Sequence, residues 1–516
     1  MGGWVRSVLV ISALVYTAYA SDVLVVTPTL SKSHFAPFGA LIDELLNRGH
    51  RVTLITTFPR EKPVQNLTEI SVASVRKVIV DSFEFSSFSK IPETFWDVAG
   101  KFTTYIEDTT KVLNVPEVRN LIASNSTFDL IIYEMFIDDL FLGFAHKFKA
   151  PVIAIGSCYM FPYVPDRFAI PANPASFPGF YSWYSDKMHF IQRLHNVVLD
   201  LGGKALYRFS LEPLMTKIAR EHFGSDMPPV GEMIKTTSLY FINTHSSMFA
   251  PHPYPPQVVD ISGIHLKPAK PLSQELDSWL KESPAGVIYF SFGSMLRGAT
   301  LPSDKVRAFL EAFRGYSIYR VLWKWEDDTM DNIPYNVKIM KWLPQRDVLA
   351  HPAVKLFISH GGLLGTTEAV VSGVPILGIP MYGDQPNNVA ALVDKGVAIH
   401  IDYNNITASS IKWALGQLLT DTGYTENAKA LSQRFQDRPM SPLDTAVFWT
   451  EYVIRHKGAP HLRSAAVDLT WYQYYLLDVT AFCIITVLAV LAAAYYAVKS
   501  FIRCIGFSQS VKVKAA

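Results

Sequence analysis

The sequence predicts an α/β protein of two facing, doubly wound domains with a C-terminal transmembrane helix, and three observations predict it. Short apolar runs without strict alternation recur between helical patterns, as parallel strands covered on both faces require. That rhythm stops at a proline-rich segment and begins again beyond it, which divides the chain into two domains. Near the C-terminus one long apolar span carries no charged side chain, although a core helix would keep a polar face.

Taken in order, Arg6, the apolar run Val8 to Val15 and Ala18-Tyr19-Ala20 have the basic, apolar and small-x-small order of a secretory signal peptide, so residues 1–20 are set apart from the fold. The first domain, 21–265, opens with "DVLVVTP", a helical pattern "PFGALIDELLNRG" and "RVTLIT", and continues with "FDLIIYE" and "APVIAIG". Between Tyr159 and Phe190 prolines and aromatics crowd together without either period, which predicts a long irregular segment forming an aromatic wall for an apolar ligand, or else a structural loop. "APHPYPPQ" to "LKPAKPL" reads as the linker. The second domain, 266–460, restarts at "GVIYFSFGS" and runs through "RVLWKWE", "VKIMKWL", "KLFISHGG", "VPILGIP" and "VAIHID". In such sheets ligands lie at the carboxyl ends of the strands, so the cleft between the domains is the expected site.

After a juxtamembrane segment, 461–478, whose Trp471, Tyr472, Tyr474 and Tyr475 suit a membrane interface, residues 479–498 match the roughly 20 needed to cross about 30 Å of hydrocarbon. The tail, 499–516, holds Lys499, Arg503, Lys512 and Lys514 and no acid, which places it in the cytosol and the bulk of the chain in a lumen. Three acceptor sequons, at Asn66, Asn125 and Asn405, fall on the lumenal side of that topology. So does Cys158, while Cys483 lies in the span and Cys504 in the tail, so the lumenal part has no intrachain disulfide. The last residues, "KVKAA", resemble the dilysine retrieval signal of endoplasmic reticulum membrane proteins, and a plain solvated basic tail is the alternative. A formal net charge of +2 without a polybasic stripe argues against nucleic acid as a partner.

The chemistry concentrates between Leu356 and Asn388. A strand ending at Ser359 delivers His360-Gly361-Gly362 to the first turn of a helix, where free amides and the helix dipole attract a phosphate. If that helix ends at Gly373, His360, Leu364 and Glu368 share a face, and the Glu368 carboxylate can accept hydrogen bonds from the vicinal hydroxyls of a ribose. The next strand deposits Asp384 and Gln385, suited to the hydroxyls of a hexose. Upstream, Trp342 offers a face for a base and Gln345 an amide. Nucleoside, diphosphate and sugar are thus accommodated together.

On these residues the stretch "WLPQRDVLAHPAVKLFISHGGLLGTTEAVVSGVPILGIPMYGDQPNNVA" resembles the signature of the membrane-bound UDP-glycosyltransferases of animals, nearer to invertebrate members, and the likeness extends over nearly the whole chain. The resemblance implies two Rossmann-like domains of the GT-B type, with donor in the second and acceptor in the first. It implies that Trp342 stacks on uracil, Gln345 contacts the nucleoside, Ser359 and His360 meet the diphosphate, Glu368 the ribose, and Asp384 with Gln385 the sugar, with Gly362 a further residue of the UDP-sugar site. "SFGS", 291–294, matches the first donor loop, bringing Gly293 and Ser294 to the phosphates. Many members have Asn where Leu364 stands, so one polar phosphate contact is absent here.

His34 lies after the first strand and just before a helix whose Phe38, Leu41, Ile42 and Leu45 follow the helical period, so it is expected to face the cleft as general base, its neutral form favoured by the helix start. A carboxylate on its other nitrogen would fix the tautomer. The family supplies that acid after the fourth or fifth strand, usually as Asp; here Glu134 ends a strand, and Asp138 and Asp139 follow. The implied reaction is a single inverting displacement, with UDP-sugar as co-substrate, no permanently bound cofactor, and helix amides rather than a metal neutralising the leaving diphosphate. A lumenal, endoplasmic reticulum enzyme of detoxification that transfers glucose to small lipophilic hydroxyl compounds is the expectation. Glucuronate or galactose as the sugar, lipids or sterols as acceptors, and a silent ligand-binding relative stand beside it.

Overall fold

The computed structural model describes residues 20–75, 83–87 and 94–513, with side chains to residue 504. The signal-peptide expectation at 1–20 therefore falls almost entirely outside the described residues, as do Lys514 and the last two alanines. The described residues through Arg463 form one compact unit, and those from Ser464 onward another.

The first unit holds two all-parallel sheets. One has β1 (Asp22–Thr27), β2 (Arg51–Thr56), β3 (Leu67–Ser71), β4 (Leu130–Glu134), β5 (Val152–Ile155), β6 (Leu239–Ile242) and β7 (Val258–Asp260), in the order β3-β2-β1-β4-β5-β6-β7. The other has β8 (Val287–Ser291), β9 (Arg320–Lys324), β10 (Val337–Met340), β11 (Val354–Ser359), β12 (Ile376–Gly378) and β13 (Ala398–His400), in the order β10-β9-β8-β11-β12-β13. Parallel strands need crossovers, and helices fill both faces of each sheet. The burial shows why no polar alternation marks these strands. In β1, Val23 and Val25 enter one core while Leu24 and Val26 enter another, and in β8 Ile288 and Phe290 part in the same way from Val287 and Tyr289.

Five helices matter below. Helix α1 (Lys32–Asn47) is capped by Ser31 and buries Phe38, Leu41, Ile42 and Leu45 against the first sheet. Helix α2 (Leu363–Ser372) follows β11, and α3 (Gln385–Asp394) follows β12. Helix α4 (Pro442–Arg455), which the sequence groups with the second domain, packs on α1, sharing a core with it through Ala446, Val447 and Val453. In the separate unit, α5 (Leu477–Val513) is fully exposed over Leu477–Cys504 and long and apolar enough there to cross a membrane. The helix runs on through Val513, so the described part of the tail continues it.

Two sequence expectations change. The proline-rich linker contains β7, whose three residues complete the first sheet. The aromatic segment is irregular, apart from one short helix, but its rings turn inward: Phe161 stacks on Phe180 at 4.2 Å and Tyr163 on Tyr207 at 4.2 Å. Its backbone meets the second domain, where the Asn387 amide donates to Gly179 O (2.9 Å) and Ser182 O (2.6 Å). The segment is a strap between the domains rather than an aromatic wall. Aromatic burial stabilises more than exposure to a polar cleft would, which is the physical reason.

Candidate active site

Each sheet has one point where neighbouring strands lead away in opposite directions, between β1 and β4 in the first and between β8 and β11 in the second. Crevices open at the carboxyl ends of such strands. His34 and Glu134 follow β1 and end β4; Ser291 and Ser359 end β8 and β11, where they are register partners.

The two serines shape the second domain's crevice in the same way. Ser291 Oγ accepts from Gly293 N at 3.2 Å and Ser359 Oγ from Gly361 N at 3.1 Å, so both strands turn sharply. Gly293 and Gly361 take φ of +84° and +82°, which a side chain would resist. A Cβ on Gly293 would also come within 2.6 Å of the His360 ring, so the imidazole is seated against bare backbone. Gly362 is the N-cap of helix α2 and has no side chain to cap it, leaving the first amides of the helix for a ligand. Burial, and after it the Lys324 charge, pushes the His360 imidazole down to about 4, so the ring is neutral near neutral pH. Its Nδ1 is buried without a hydrogen-bond partner.

The expected row of His360, Leu364 and Glu368 is only half helical, because α2 begins at Leu363 and His360 precedes it. All three nevertheless line one cavity of about 420 Å³. Every donor-side residue named from the sequence, from Gly293 to Gln385, lines it too, and so does His34 from the first domain. Glu368 accepts from the Gln345 amide at 2.6 Å, and the Tyr289 hydroxyl donates to Gln345 Oε1 at 3.2 Å. Burial raises the Glu368 carboxyl above its ordinary 4.5. Burial likewise raises Asp384, whose Oδ2 accepts from Tyr159 N at 3.2 Å, across the domain boundary. Gln385 spends its carbonyl on Met381 N (2.8 Å) and Tyr382 N (3.2 Å), so only its amide end can serve a ligand. Trp342 is about half exposed, and Lys32 Nζ lies 5.2 Å from its ring centre.

On the first-domain side His34 sits inside α1 rather than before it, because Ser31 takes the cap and accepts from His34 N at 3.3 Å. Its Nδ1 is 2.6 Å from Glu134 Oε1, and its ring stands edge-on to Phe136 at 4.6 Å. With Nδ1–H donated to the carboxylate, the free lone pair is at Nε2. The Ser157 hydroxyl also donates to Glu134 Oε1 and lies 2.8 Å from His34 Nδ1. Burial works to lower the His34 imidazole, but the charge and hydrogen bond of Glu134 outweigh it and the ring ends above its ordinary 6.5. That differs from the neutral ring expected at a helix start.

Asp139 is not brought to His34. Its carboxylate is taken by Arg167 Nη2 at 2.7 Å and by the hydroxyls of Tyr133 and Tyr207, all buried. Asp138 is buried as well and does not line the cavity. Glu134 is the acid of the three that meets the histidine. Two residues that sequence reasoning passed over belong to the site: Ser157, just after β5, and Lys324, the last residue of β9, which lines the cavity. Each is a polar residue where a parallel strand emerges, the one signal that marked them. Among the described residues no group of three His, Cys, Asp or Glu side chains is placed to hold a metal ion.

Residues 22–514 match the family model described as "UDP-glucoronosyl and UDP-glucosyl transferase". The chain is 42% identical to "UDP-glycosyltransferase UGT5" of Dactylopius coccus, covering 96% of this chain and 95% of that one. It is 41% identical to "UDP-glucosyltransferase 2" of the same organism, over 95% of each chain, and 31% identical to "UDP-glucuronosyltransferase 2B1" of Rattus norvegicus, over 89% of each. Among solved structures, "CalG4, the Calicheamicin Glycosyltransferase" superposes with a TM-score of 0.57 at 15% identity, covering 84% of this chain and 98% of that chain, a likeness of fold.

Proposed function

Because the chain belongs to the UDP-glucoronosyl and UDP-glucosyl transferase family and is a UDP-glycosyltransferase, we propose that it transfers glucose, with inversion, from UDP-glucose to a hydroxyl of a small lipophilic acceptor. The observation that carries this reading is one cavity shared by His34 of the first domain and the helix-entry cradle of the second. The uracil lies on Trp342, the ribose hydroxyls on Glu368, the diphosphate at Gly293, Ser294, Ser359, His360 and the amides entering α2, and the hexose at Asp384 and Gln385. His34 Nε2 takes the acceptor's proton, Glu134 steadies the imidazolium that results, and the nucleophile attacks opposite UDP. Glucose is favoured by the relative named as a glucosyltransferase, which is more similar than the one named as a glucuronosyltransferase.

α5 anchors the protein in the membrane of the endoplasmic reticulum with the two sheets lumenal, a topology supported by the basic residues after the span and by the exposed Asn66, Asn125 and Asn405. The test is a donor-by-acceptor screen on membranes holding the protein, read by product mass. A hexose gain on a phenol from UDP-glucose is expected; a hexuronate gain, or no transfer from UDP-glucose to any acceptor, overturns the reading.

The base assignment has its own pH signature. Only a neutral imidazole accepts a proton, so kcat falls on the acid side through the raised His34 pKa, above 6.5. Glu134→Gln removes the charge that raises it and leaves burial dominant. The acid limb then moves below 6.5 while kcat at its plateau drops by about a hundredfold or more. A kcat–pH profile of the two proteins checks both, and an unmoved limb would assign it to another group.

A further inference from the structure

Lys324 ends β9, and its neighbour Trp323, paired with Phe290 of β8, turns into the core. Alternation along the strand sends Lys324 the other way, into the cavity wall. There the side chain is only 6% exposed, and its ammonium is held 2.6 Å from Glu326 Oε1. Glu326 Oε2 in turn accepts from Ala299 N at 2.9 Å, in the loop that continues from Ser291–Ser294. The pair therefore ties the end of β9 to the loop bearing Gly293 and Ser294. A buried ion pair contributes little net stability against apolar side chains of the same volume, so stability alone does not account for it.

Fixed positive charge is sparse in the cavity wall, and Lys32 approaches it only at the Trp342 ring, 5.2 Å from the ring centre. Of its described lining residues only Lys324 and Arg346 carry a fixed positive charge, and Arg346 Nη1 is turned to Ser372 Oγ, 2.9 Å away at the far end of α2. Helix-entry amides and a neutral imidazole offer hydrogen bonds but no full charge. A donor diphosphate is anionic when it binds, and it gains a further negative charge as the bond to the sugar breaks. The Lys324 ammonium, 5.7 Å from the Trp342 ring centre in the cavity that Ser294 and His360 also line, matches that demand.

We propose that Lys324 binds the diphosphate of the donor, exchanging its resting partner Glu326 for phosphate oxygens when the nucleotide enters. The inference rests on the reading that a nucleoside diphosphate lies at the entry to α2. Binding of UDP and of uridine to the full-length protein in detergent, measured by calorimetry, separates the two. Lys324→Met should weaken UDP by about 10- to 100-fold and leave uridine, which has no phosphate, unchanged. Lys338→Met, which removes the same charge from the neighbouring strand where it pairs with Glu275, should alter neither. Glu326→Gln, which can still accept from Ala299 N but no longer competes as an anion, should tighten UDP and leave uridine as it was.

Undiminished UDP affinity in Lys324→Met overturns the proposal, as does an equal loss for UDP and uridine, which would make the lysine a structural prop. Unchanged or weaker UDP binding in Glu326→Gln overturns it independently, whether or not Lys324→Met folds. A wild-type protein that binds no UDP defeats the donor reading itself.

Discussion

His34→Ala lowers kcat by about a thousandfold and leaves the affinity for UDP within a few-fold of wild type. The ring donates Nδ1–H to Glu134 at 2.6 Å, presents Nε2 to the shared cavity, and is braced edge-on by Phe136. A hydroxyl nucleophile is a weak attacker until its proton leaves, and a positioned base contributes about a hundredfold to ten-thousandfold. No donor-side contact depends on His34, because the cradle is built from the second domain. Single-turnover rates and UDP titrations on the same preparation measure the two quantities apart. Transfer at the wild-type rate would remove His34 as the base. Asp139→Asn gives the contrasting result: it leaves the buried Arg167 guanidinium uncompensated, so the expected loss is about 3–5 kcal/mol of stability. Turnover by the folded fraction is expected to persist.

That contrast also shows where the sequence stops informing. Strands such as β1, β4, β8 and β11 are legible because both faces of each enter a core, which forces continuous apolar runs. β3 is not, because as an edge strand it keeps Thr68 and Ser71 exposed, and β7 is three residues among prolines. The turns after β8 and β11 are legible because a glycine two residues past the strand's last serine lets the backbone reverse, as Gly293 and Gly361 do at positive φ, and Trp342, Glu368 and Asp384 line the same cavity. The choice among Glu134, Asp138 and Asp139 was not, since it depends on partners brought by other segments: Ser157 and His34 converge on the first, Arg167 and two tyrosines on the last. For the same reason composition could not say whether the rings between 159 and 190 face a ligand or the interior. Only the path of the strap over α3 decides that.

Glu368→Ala lowers UDP affinity by about 100-fold or more and erases discrimination between UDP and 2′-deoxy-UDP. One carboxylate oxygen is already engaged by Gln345 at 2.6 Å, and that amide is itself held by the Tyr289 hydroxyl, so the acid is fixed before any nucleotide arrives. Hydrogen bonds to a charged group contribute about 1.5–3 kcal/mol each, and two vicinal hydroxyls reach the figure together. If the carboxylate accepts from the 2′-hydroxyl, wild-type protein prefers UDP over the deoxy analogue by about tenfold or more, and the variant binds both alike. The sign of the pH effect follows from burial, which raises Glu368 above 4.5: on acidification the group protonates earlier than an exposed carboxylate and loses acceptor capacity. The donor KM therefore rises as pH falls through that raised value, whereas the His34 limb appears in kcat. A preference for UDP over 2′-deoxy-UDP that survives in Glu368→Ala would place the ribose elsewhere, and with it the direction in which the donor lies along α2.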